Sequence, residues 1–394
     1  MVRKGLIDKL YEAASMQRWN DHVRPVEFTE LDKQAHKMMI AYVIAKLEED
    51  SGNTPDWSRL IEGGIFELLQ RVVLTDIKPP IFHKMMKEKG EEVTDYVFSE
   101  LEVYMSAVGN GFGGRFRQYF TEPEYAEKER QILSAAHYLA TKWEFRIIYN
   151  SAPKMFGIDE TNTEIESRIK DHFDLSSVKD IVANKCHDFI DLCGQLRFQQ
   201  RWAQTPRIPK TSVIGHMYIV AILAYIFSLE MGSGERSKYN NFFCGLFHDL
   251  PEVLTRDIVS PVKKNTGIEE LIKEYEGVQV KEKILPLLPE GWHSEINYFT
   301  SDEFSNRAIV GGKIIKGMSS EELHEKFSAD EHDPIDGRLI RACDELAAFV
   351  EASKSIDHGT RSHHLEGAKA YLYEKYRKVK VLDIDFGQIF DYFN

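Results

Sequence analysis

Two stretches of this chain repeat the same spaced residues. Residues 6–19 contain Leu-Ile-Asp followed later by Gln-Arg-Trp, and residues 189–202 contain Phe-Ile-Asp followed at the same spacing by Gln-Arg-Trp. The separation is constant, so Arg18 corresponds to Arg201 and Arg24 to Arg207. Self-similarity over such a distance indicates a duplicated structural unit and restricts the fold to one that can be built twice.

Three further blocks match in the same order. A helical run containing His36 matches one containing His216, residues 64–77 match 245–258, and residues 135–140 match 342–347. The alternative is two unrelated helical segments with similar apolar spacing. We interpret the blocks as a tandem repeat, with domains at residues 1–178 and 179–394. The polar stretch at 157–177 is the predicted linker, and its composition is also compatible with a helix.

Helical periodicity dominates the chain. Residues 124–148, 214–231 and 334–352 have apolar positions at helix spacing, whereas alternating β-type runs between turn signals are scarce. A chain of 394 residues exceeds what one hydrophobic core usually supports. The predicted class is therefore all-α, with two helical bundles in tandem.

Charge and composition narrow the classes of function. The net charge of −13 and the lack of a long Lys/Arg block argue against binding a nucleic acid polymer, while a small anionic substrate remains compatible. The four cysteines have no CxxC spacing, which favours reduced thiols. No signal peptide is evident, and the apolar run at 217–227 is too short to span a bilayer. We therefore expect a cytoplasmic protein without a membrane partner.

An adjacent histidine and aspartate mark a candidate metal site in the second repeat. His248 and Asp249, together with His216 upstream and Asp344 downstream, supply the imidazole and carboxylate ligands that divalent ions prefer. Neighbouring helical residues point about 100° apart, so His248 and Asp249 reach one ion only near a helix irregularity. Pro251 predicts that irregularity. Taken singly, each residue is also compatible with core packing or an ion pair.

Candidate residues for proton transfer and phosphate binding surround this set. Glu252 is the predicted general acid/base, and the alternative is a charge at a helix N-terminus. Arg201 and Arg207 are the predicted phosphate ligands. Trp202 either packs against a sugar or base or belongs to the core, and Thr255 is a further predicted substrate contact.

The stretch at 248–257, read as HD-L-P-E-V-L-T-R-D and continued by Ser-Pro-Val-Lys at 260–263, resembles the HD-domain metal-dependent phosphohydrolases. The likeness is closest to the bacterial 5′-deoxynucleotidases and covers about residues 185–360. It implies HD-like helical bundles and hydrolysis of nucleoside 5′-monophosphates. The implied cofactor is a divalent ion (Co, Mn, Mg, Zn, Ni or Fe) held by His216, His248, Asp249 and Asp344.

The resemblance also implies individual roles. Glu252 would handle the water, Arg201 the phosphate, and Asp257 the phosphate–sugar end of the substrate. The family commonly forms homodimers, so a fused duplication implies a pseudo-dimer within one chain, with a homodimer of the chain as an open possibility.

One departure from the family pattern keeps other functions open. The family carries Ser-Glu before the first metal histidine, where this chain has Ile214 and Gly215. Polar support for His216 is therefore missing or comes from elsewhere. The rival activities are hydrolysis of a phosphodiester or of an alarmone pyrophosphate. A rival of another class is a non-catalytic sensor that binds a nucleotide.

The first repeat has lost the metal pattern. The corresponding positions are assigned to His36, Glu67, Leu68 and His137, with Arg71 in place of Glu252. We expect no hydrolase there, because Arg71 would repel a divalent ion. The two histidines and Glu67 leave open a residual zinc site. The favoured alternative is a structural or anion-binding role involving Arg18 and Arg71.

Overall fold

The chain is predominantly helical. A computed structural model describes residues 4–256 and 267–394, and the strands within those ranges form two small antiparallel hairpins. The predicted all-α class is confirmed. The chain divides into two compact units, Gly5–Gly194 and Gln195–Asn394.

The regular elements of the first unit, within its described length, are helices. Its elements are α1 (Lys4–Glu12), α2 (Glu30–Asp50), α3 (Trp57–Leu74), α4 (Pro79–Met105), α5 (Phe112–Thr121), α6 (Glu127–Ser151), α7 (Ile158–Lys170), α8 (Ser176–Val182) and α9 (His187–Gln195). Helix α2 is the central element and packs against α3, α6 and α8.

The second unit also has a central helix. Its helices are α10 (Val213–Glu230), α11 (Glu235–Phe247), α12 (Glu252–Thr255), α13 (Glu269–Gln279), α14 (His293–Thr300), α15 (Ser320–Phe327), α16 (Gly337–Asp357), α17 (His363–Tyr376) and α18 (Phe386–Asp391). The hairpins pair β1 (Arg307–Val310) with β2 (Lys313–Lys316), and β3 (Lys380–Val381) with β4 (Ile384–Asp385). Helix α10 packs against α11 and α16, and α16 carries the predicted ligand Asp344.

The division between the units falls later than the predicted domain boundary near residue 178. Helix α9 groups with the first unit although its sequence matches α1 at the start of the repeat. The reason is packing, because Trp143 and Arg146 on α6 both donate hydrogen bonds to Asp191 on α9. A domain boundary drawn from sequence repetition therefore need not coincide with one drawn from packing.

Helix α10 is long and apolar enough to cross a membrane by composition alone. It spans 18 residues, more than the apolar run considered in the sequence, and 94% of it is buried inside the protein. Ser212 caps its start by accepting a hydrogen bond from the amide of Gly215. A helix buried on all sides has the composition expected of a core helix.

Helices α10 and α11 approach closely at Gly245. A Cβ atom added there would lie 2.8 Å from the Cα of Ala221 and 3.0 Å from its nitrogen. Both are backbone atoms, which cannot rotate away as a side chain can. The glycine therefore sets the separation between α10, which carries His216, and α11, which leads directly into His248.

We predict that Gly245→Ala lowers the free energy of unfolding by about 1–3 kcal/mol, the usual cost of overpacking a core. Gly277→Ala, in α13, is the matched control because an added Cβ meets nothing within 4 Å. That substitution should stabilise by about 0.5–1 kcal/mol through helix propensity. Denaturant unfolding of both variants measures the difference, and equal stabilities would contradict the close-packing argument.

Candidate metal centre

The start of α10 places the first predicted ligand. An isolated β-bridge joins Gln200 to Ser212, and the chain then enters the helix at the Ser212 cap. His216 follows one turn later and is fully buried. Its Nε2 atom lies 2.8 Å from Oδ1 of Asp344, which comes from α16.

The adjacent pair lies where a helix is interrupted. Helix α11 ends at Phe247, residues 248–251 form a turn, and α12 begins at Glu252. The predicted irregularity before Pro251 is confirmed. It lets both side chains face one point, with Nε2 of His248 3.1 Å from Oδ2 of Asp249 and 4.0 Å from Oδ1 of Asp344.

These residues fit a divalent ion. Ligand atoms of His216, His248 and Asp249 all lie within 4.8 Å of one another. The Nδ1 atom of His248 is 2.8 Å from the carbonyl of Gly245, to which it donates, so its Nε2 atom is directed into the cluster. A backbone carbonyl that fixes one ring nitrogen is the usual support of a metal-binding histidine. Asp344 borders the same cluster through both histidines.

The carboxylates and histidines shift one another's protonation. Burial disfavours the charged imidazole of His248, but the opposing charge of Asp249, assisted by Asp344, raises its pKa to about 9. Burial opposes ionisation of Asp249 as well, yet His248 and Arg201 lower the pKa of that carboxyl. The pKa of Asp344 is also lowered, through His216. The carboxylates therefore stay ionised, as a cation site requires.

A buried carboxylate that was not among the predicted site residues supports this cluster. Glu351 accepts hydrogen bonds from the Trp202 indole at 2.9 Å and from the Thr211 hydroxyl at 2.7 Å. Its Oε1 atom is 3.5 Å from Nδ1 of His216. Burial opposes its ionisation, but the neighbouring arginines keep its pKa well below the usual range.

Glu351 supplies the polar support that Ile214 and Gly215 cannot give. Its sequence signal was its position two helical turns after Asp344 on α16, amid alanine, phenylalanine and valine. A carboxylate at an apolar position requires a partner. The same reasoning that selected Asp344 therefore applied to Glu351.

The predicted phosphate ligands lie beside this carboxylate. Arg201 has Nη1 3.7 Å from Asp249 and Nε 3.5 Å from Glu351. Arg207 is buried and donates to the Pro209 carbonyl at 3.2 Å and to the Thr211 hydroxyl. Arg201 therefore borders the metal cluster directly, whereas Arg207 bonds within its own loop. Their roles toward a substrate stay predictions.

The remaining predicted residues follow the metal pair. Glu252 is buried at the first position of α12, and its backbone carbonyl accepts a hydrogen bond from Gln199 at 3.0 Å. The hydroxyl of Thr255 donates to Glu276 at 3.0 Å, which connects α12 to α13. Asp257 lies outside the described residues.

In the first unit, His36 does not take the place that its match with His216 predicts. The ring of His36 donates from Nε2 to the carbonyl of Ile190 at 2.9 Å. Lys33 instead reaches His137, with its amine nitrogen hydrogen-bonded to Nδ1 of the ring. The amine therefore occupies the place assigned to an imidazole, because the N-terminal cap fixes which residue of α2 faces α6.

The match to a known protein family lies almost entirely within the second unit. Residues 193–371 match the family model of the HD domain. A 5′-deoxynucleotidase of Vibrio atlanticus is 22% identical over 204 residues, covering 51% of this chain and 89% of the relative. A 5′-deoxynucleotidase of Photobacterium profundum is 30% identical over 115 residues, covering 28% and 58%. A 4′-phosphooxetanocin A phosphatase of Priestia megaterium is 29% identical over 103 residues, covering 25% and 53%.

We predict that Glu351→Gln weakens Mn²⁺ or Co²⁺ binding by about 10- to 100-fold, the usual cost of losing a residue that orients a ligand. The neutral amide cannot hold Nδ1–H of His216 as strongly, and it removes the buried counter-charge beside Nε of Arg201. Calorimetric titration measures the effect. Glu345→Gln is the control, because Glu345 is on the same helix and pairs with Lys375. Unchanged affinity in a folded Glu351 variant would contradict this role.

Proposed function

We propose that the second unit is a divalent-metal-dependent phosphohydrolase acting on a nucleotide phosphomonoester, a (deoxy)nucleoside 5′-monophosphate. The observation that carries the proposal is the convergence of His216, His248 and Asp249 on one point within a segment that matches the HD domain. The names of the relatives, which include 5′-deoxynucleotidases and a 4′-phosphooxetanocin A phosphatase, support the substrate class.

The metal would be held by His216, His248, Asp249 and Asp344. A bound divalent ion would supply Lewis-acid stabilisation of the phosphoryl oxygens and lower the pKa of water. Glu351 would orient His216 as an ion-pair partner 3.5 Å from Nδ1, and the carbonyl of Gly245 orients His248 by a hydrogen bond. The protein residues thereby fix ring orientation before any ligand arrives.

The other residues act on charge and protons. Arg201, between Asp249 and Glu351, supplies a permanent positive charge for the phosphate group. Glu252, at the end of the turn that carries His248 and Asp249, exchanges the proton of the attacking water. Trp202 is tied to Glu351 by its indole N–H, which favours its structural role over direct contact with a base.

Two alternatives make different predictions for the same site. A phosphodiesterase or alarmone pyrophosphohydrolase would use the same ligands on a larger anion, and a sensor would bind nucleotide without turnover. A phosphate-release screen over nucleoside mono-, di- and triphosphates, with each candidate metal added in turn, distinguishes them. Release from monophosphates alone is the expected result, and tight binding without release would favour the sensor.

We further propose that the chain is a tandem duplication with a degenerate first copy. In both units the tryptophan after the repeated arginine has positive φ, 58° for Trp19 and 60° for Trp202. Each indole donates to a buried glutamate, at 2.7 Å in the first unit and 2.9 Å in the second. Each loop also forms one bridge to the cap of the following helix. Matching strained positions support common descent more strongly than matching apolar spacing.

We predict that Glu252→Ala lowers phosphate release by about 100-fold or more while the metal is retained, because only proton transfer is removed. Steady-state assays with elemental analysis of the purified variant test this. Glu345→Ala is the control for loss of a nearby carboxylate and should keep full activity. Equal rates for the wild type and the Glu252 variant on every substrate would exclude the mechanism.

The raised pKa of His248 predicts pH-dependent metal binding. Below pH 9 the imidazole is protonated in the metal-free protein, and the proton must leave before Nε2 can bind an ion. Apparent affinity should therefore rise by about tenfold per pH unit toward pH 9 and then level off. Titrations in buffers of different ionisation enthalpy should show one proton released near pH 7. A pH-independent affinity would contradict this assignment.

A further inference from the structure

The first unit contains a cluster of buried cations at the place where the second unit gathers metal ligands. Thr29 caps α2 and Ser212 caps α10, and Lys33 and His216 each lie four residues after the cap. Lys33 bonds to His137, just as His216 bonds to Asp344. Positions 137 and 344 match within the repeated Ala-rich blocks. An ammonium group has therefore replaced an imidazole ligand.

The other ligand positions of the first unit no longer serve a metal. Leu68 stands at the position of Asp249 and is buried. Glu67 is at the position of His248, but its Oε2 accepts from Lys37 at 2.6 Å and its Oε1 from the Tyr119 hydroxyl at 2.6 Å. These contacts use both carboxylate oxygens within the unit.

The two clusters differ in the sign of their charge. Among the described residues, the second unit gathers two arginines and four carboxylates, a net charge of −2 once His248 has lost its proton to bind an ion: Arg201, Arg207, Asp249, Glu252, Asp344 and Glu351. The matching part of the first unit gathers five basic side chains and four carboxylates, a net charge of +1 when Lys33 is protonated: Arg18, Arg24, Lys33, Lys37, Arg71, Glu30, Glu67, Asp76 and Glu144. The first suits a divalent cation and the second an anion.

Arg71 is the cation best placed to meet a ligand. It stands at the position of Glu252, and its side chain is 19% exposed. Its ion pairs with Glu30 and Asp76 are 3.9 and 3.7 Å long, beyond hydrogen-bonding distance. Arg18, in contrast, bonds to Glu144 at 3.0 Å and to Glu30 at 2.7 Å. Arg71 thus retains guanidinium donors that these carboxylates do not use.

We propose that the first unit binds the phosphate group of a small phosphomonoester without a metal, between the Arg71 guanidinium and the Lys33 ammonium, with Arg18 alongside. A phosphate dianion accepts from a planar guanidinium and from an ammonium at once. The lysine takes over part of the charge that an ion would supply in the second unit. The proposal is independent of whether the second unit is catalytic.

Without a bound anion, the cluster disfavours protonation of its own lysine and histidine. Burial and the nearby Arg18 lower the pKa of Lys33 well below its usual value, although Glu30 and Glu144 oppose this. Burial and Lys33, with further cations, likewise lower the pKa of His137. A phosphate bound beside Lys33 would oppose this effect and favour the protonated lysine.

The test uses the full chain in excess EDTA, which prevents metal-dependent binding at the second unit. Calorimetric titration with a deoxynucleoside 5′-monophosphate should give one site per chain, and inorganic phosphate should compete for it. Arg71→Ala should weaken binding by at least about tenfold, the scale of one charge-assisted contact. Arg201→Ala, a change of the phosphate-binding arginine in the second unit, should leave this binding unaltered.

Lys33→Met is the second variant and should also weaken binding, while thermal unfolding verifies that the unit still folds. Arg71 is partly exposed, so its variant keeps the test valid if the lysine variant does not fold. Absence of binding in EDTA, failure of phosphate to compete, or loss with Arg201→Ala but not with Arg71→Ala would overturn the proposal. Metal-dependent phosphate release by Arg71→Ala, measured separately, reports on the second unit alone.

Discussion

The arrangement of the second unit depends on the buried carboxylate of Glu351 and on the groups that contact it. It lies in the core of the unit and connects α16 to α10 through His216, and to the preceding loop through Trp202 and Thr211. A buried charge is tolerated only when it is paired and hydrogen-bonded. Because each of its partners is held in turn by the helix cap or the loop, removal of the carboxylate would disturb the ligands and the predicted phosphate-binding arginine together.

Part of the candidate centre could be predicted from the sequence because several of its residues lie close together along the chain. His248, Asp249 and Glu252 lie around one turn, and Pro251 marks the break that lets the histidine and aspartate converge. His216 and Asp344 are 128 residues apart in the chain but contact each other in the structure. Only their apolar helical surroundings indicated that these two polar residues need a partner. The fold class followed from periodicity, while the division between units depended on how α9 packs, which no local pattern reports.

The first unit shows where residue matching failed. His36 was aligned with His216 because both are histidines in similar apolar runs, yet the cap at Thr29 gives that place to Lys33. A helix presents side chains according to their distance from its start, so the cap and its β-bridge are better guides to register than one shared residue type. Glu351 was missed for a related reason, since a carboxylate on a helix is read as solvent-facing unless its neighbours are weighed.

Comparing the two units distinguishes residues that support the fold from residues suited to binding a metal. The arginine, the tryptophan with positive φ, and the buried glutamate occur in both, although among the described residues only the second unit has a fitting metal-ligand set. These shared residues therefore serve the loop and the helix start rather than the metal. The matched positions that differ exchange ligand or acidic groups for basic or apolar ones, with a lysine for His216, a leucine for Asp249 and an arginine for Glu252. Under the proposed duplication, a few substitutions around a shared buried framework would convert a site suited to a cation into one suited to an anion.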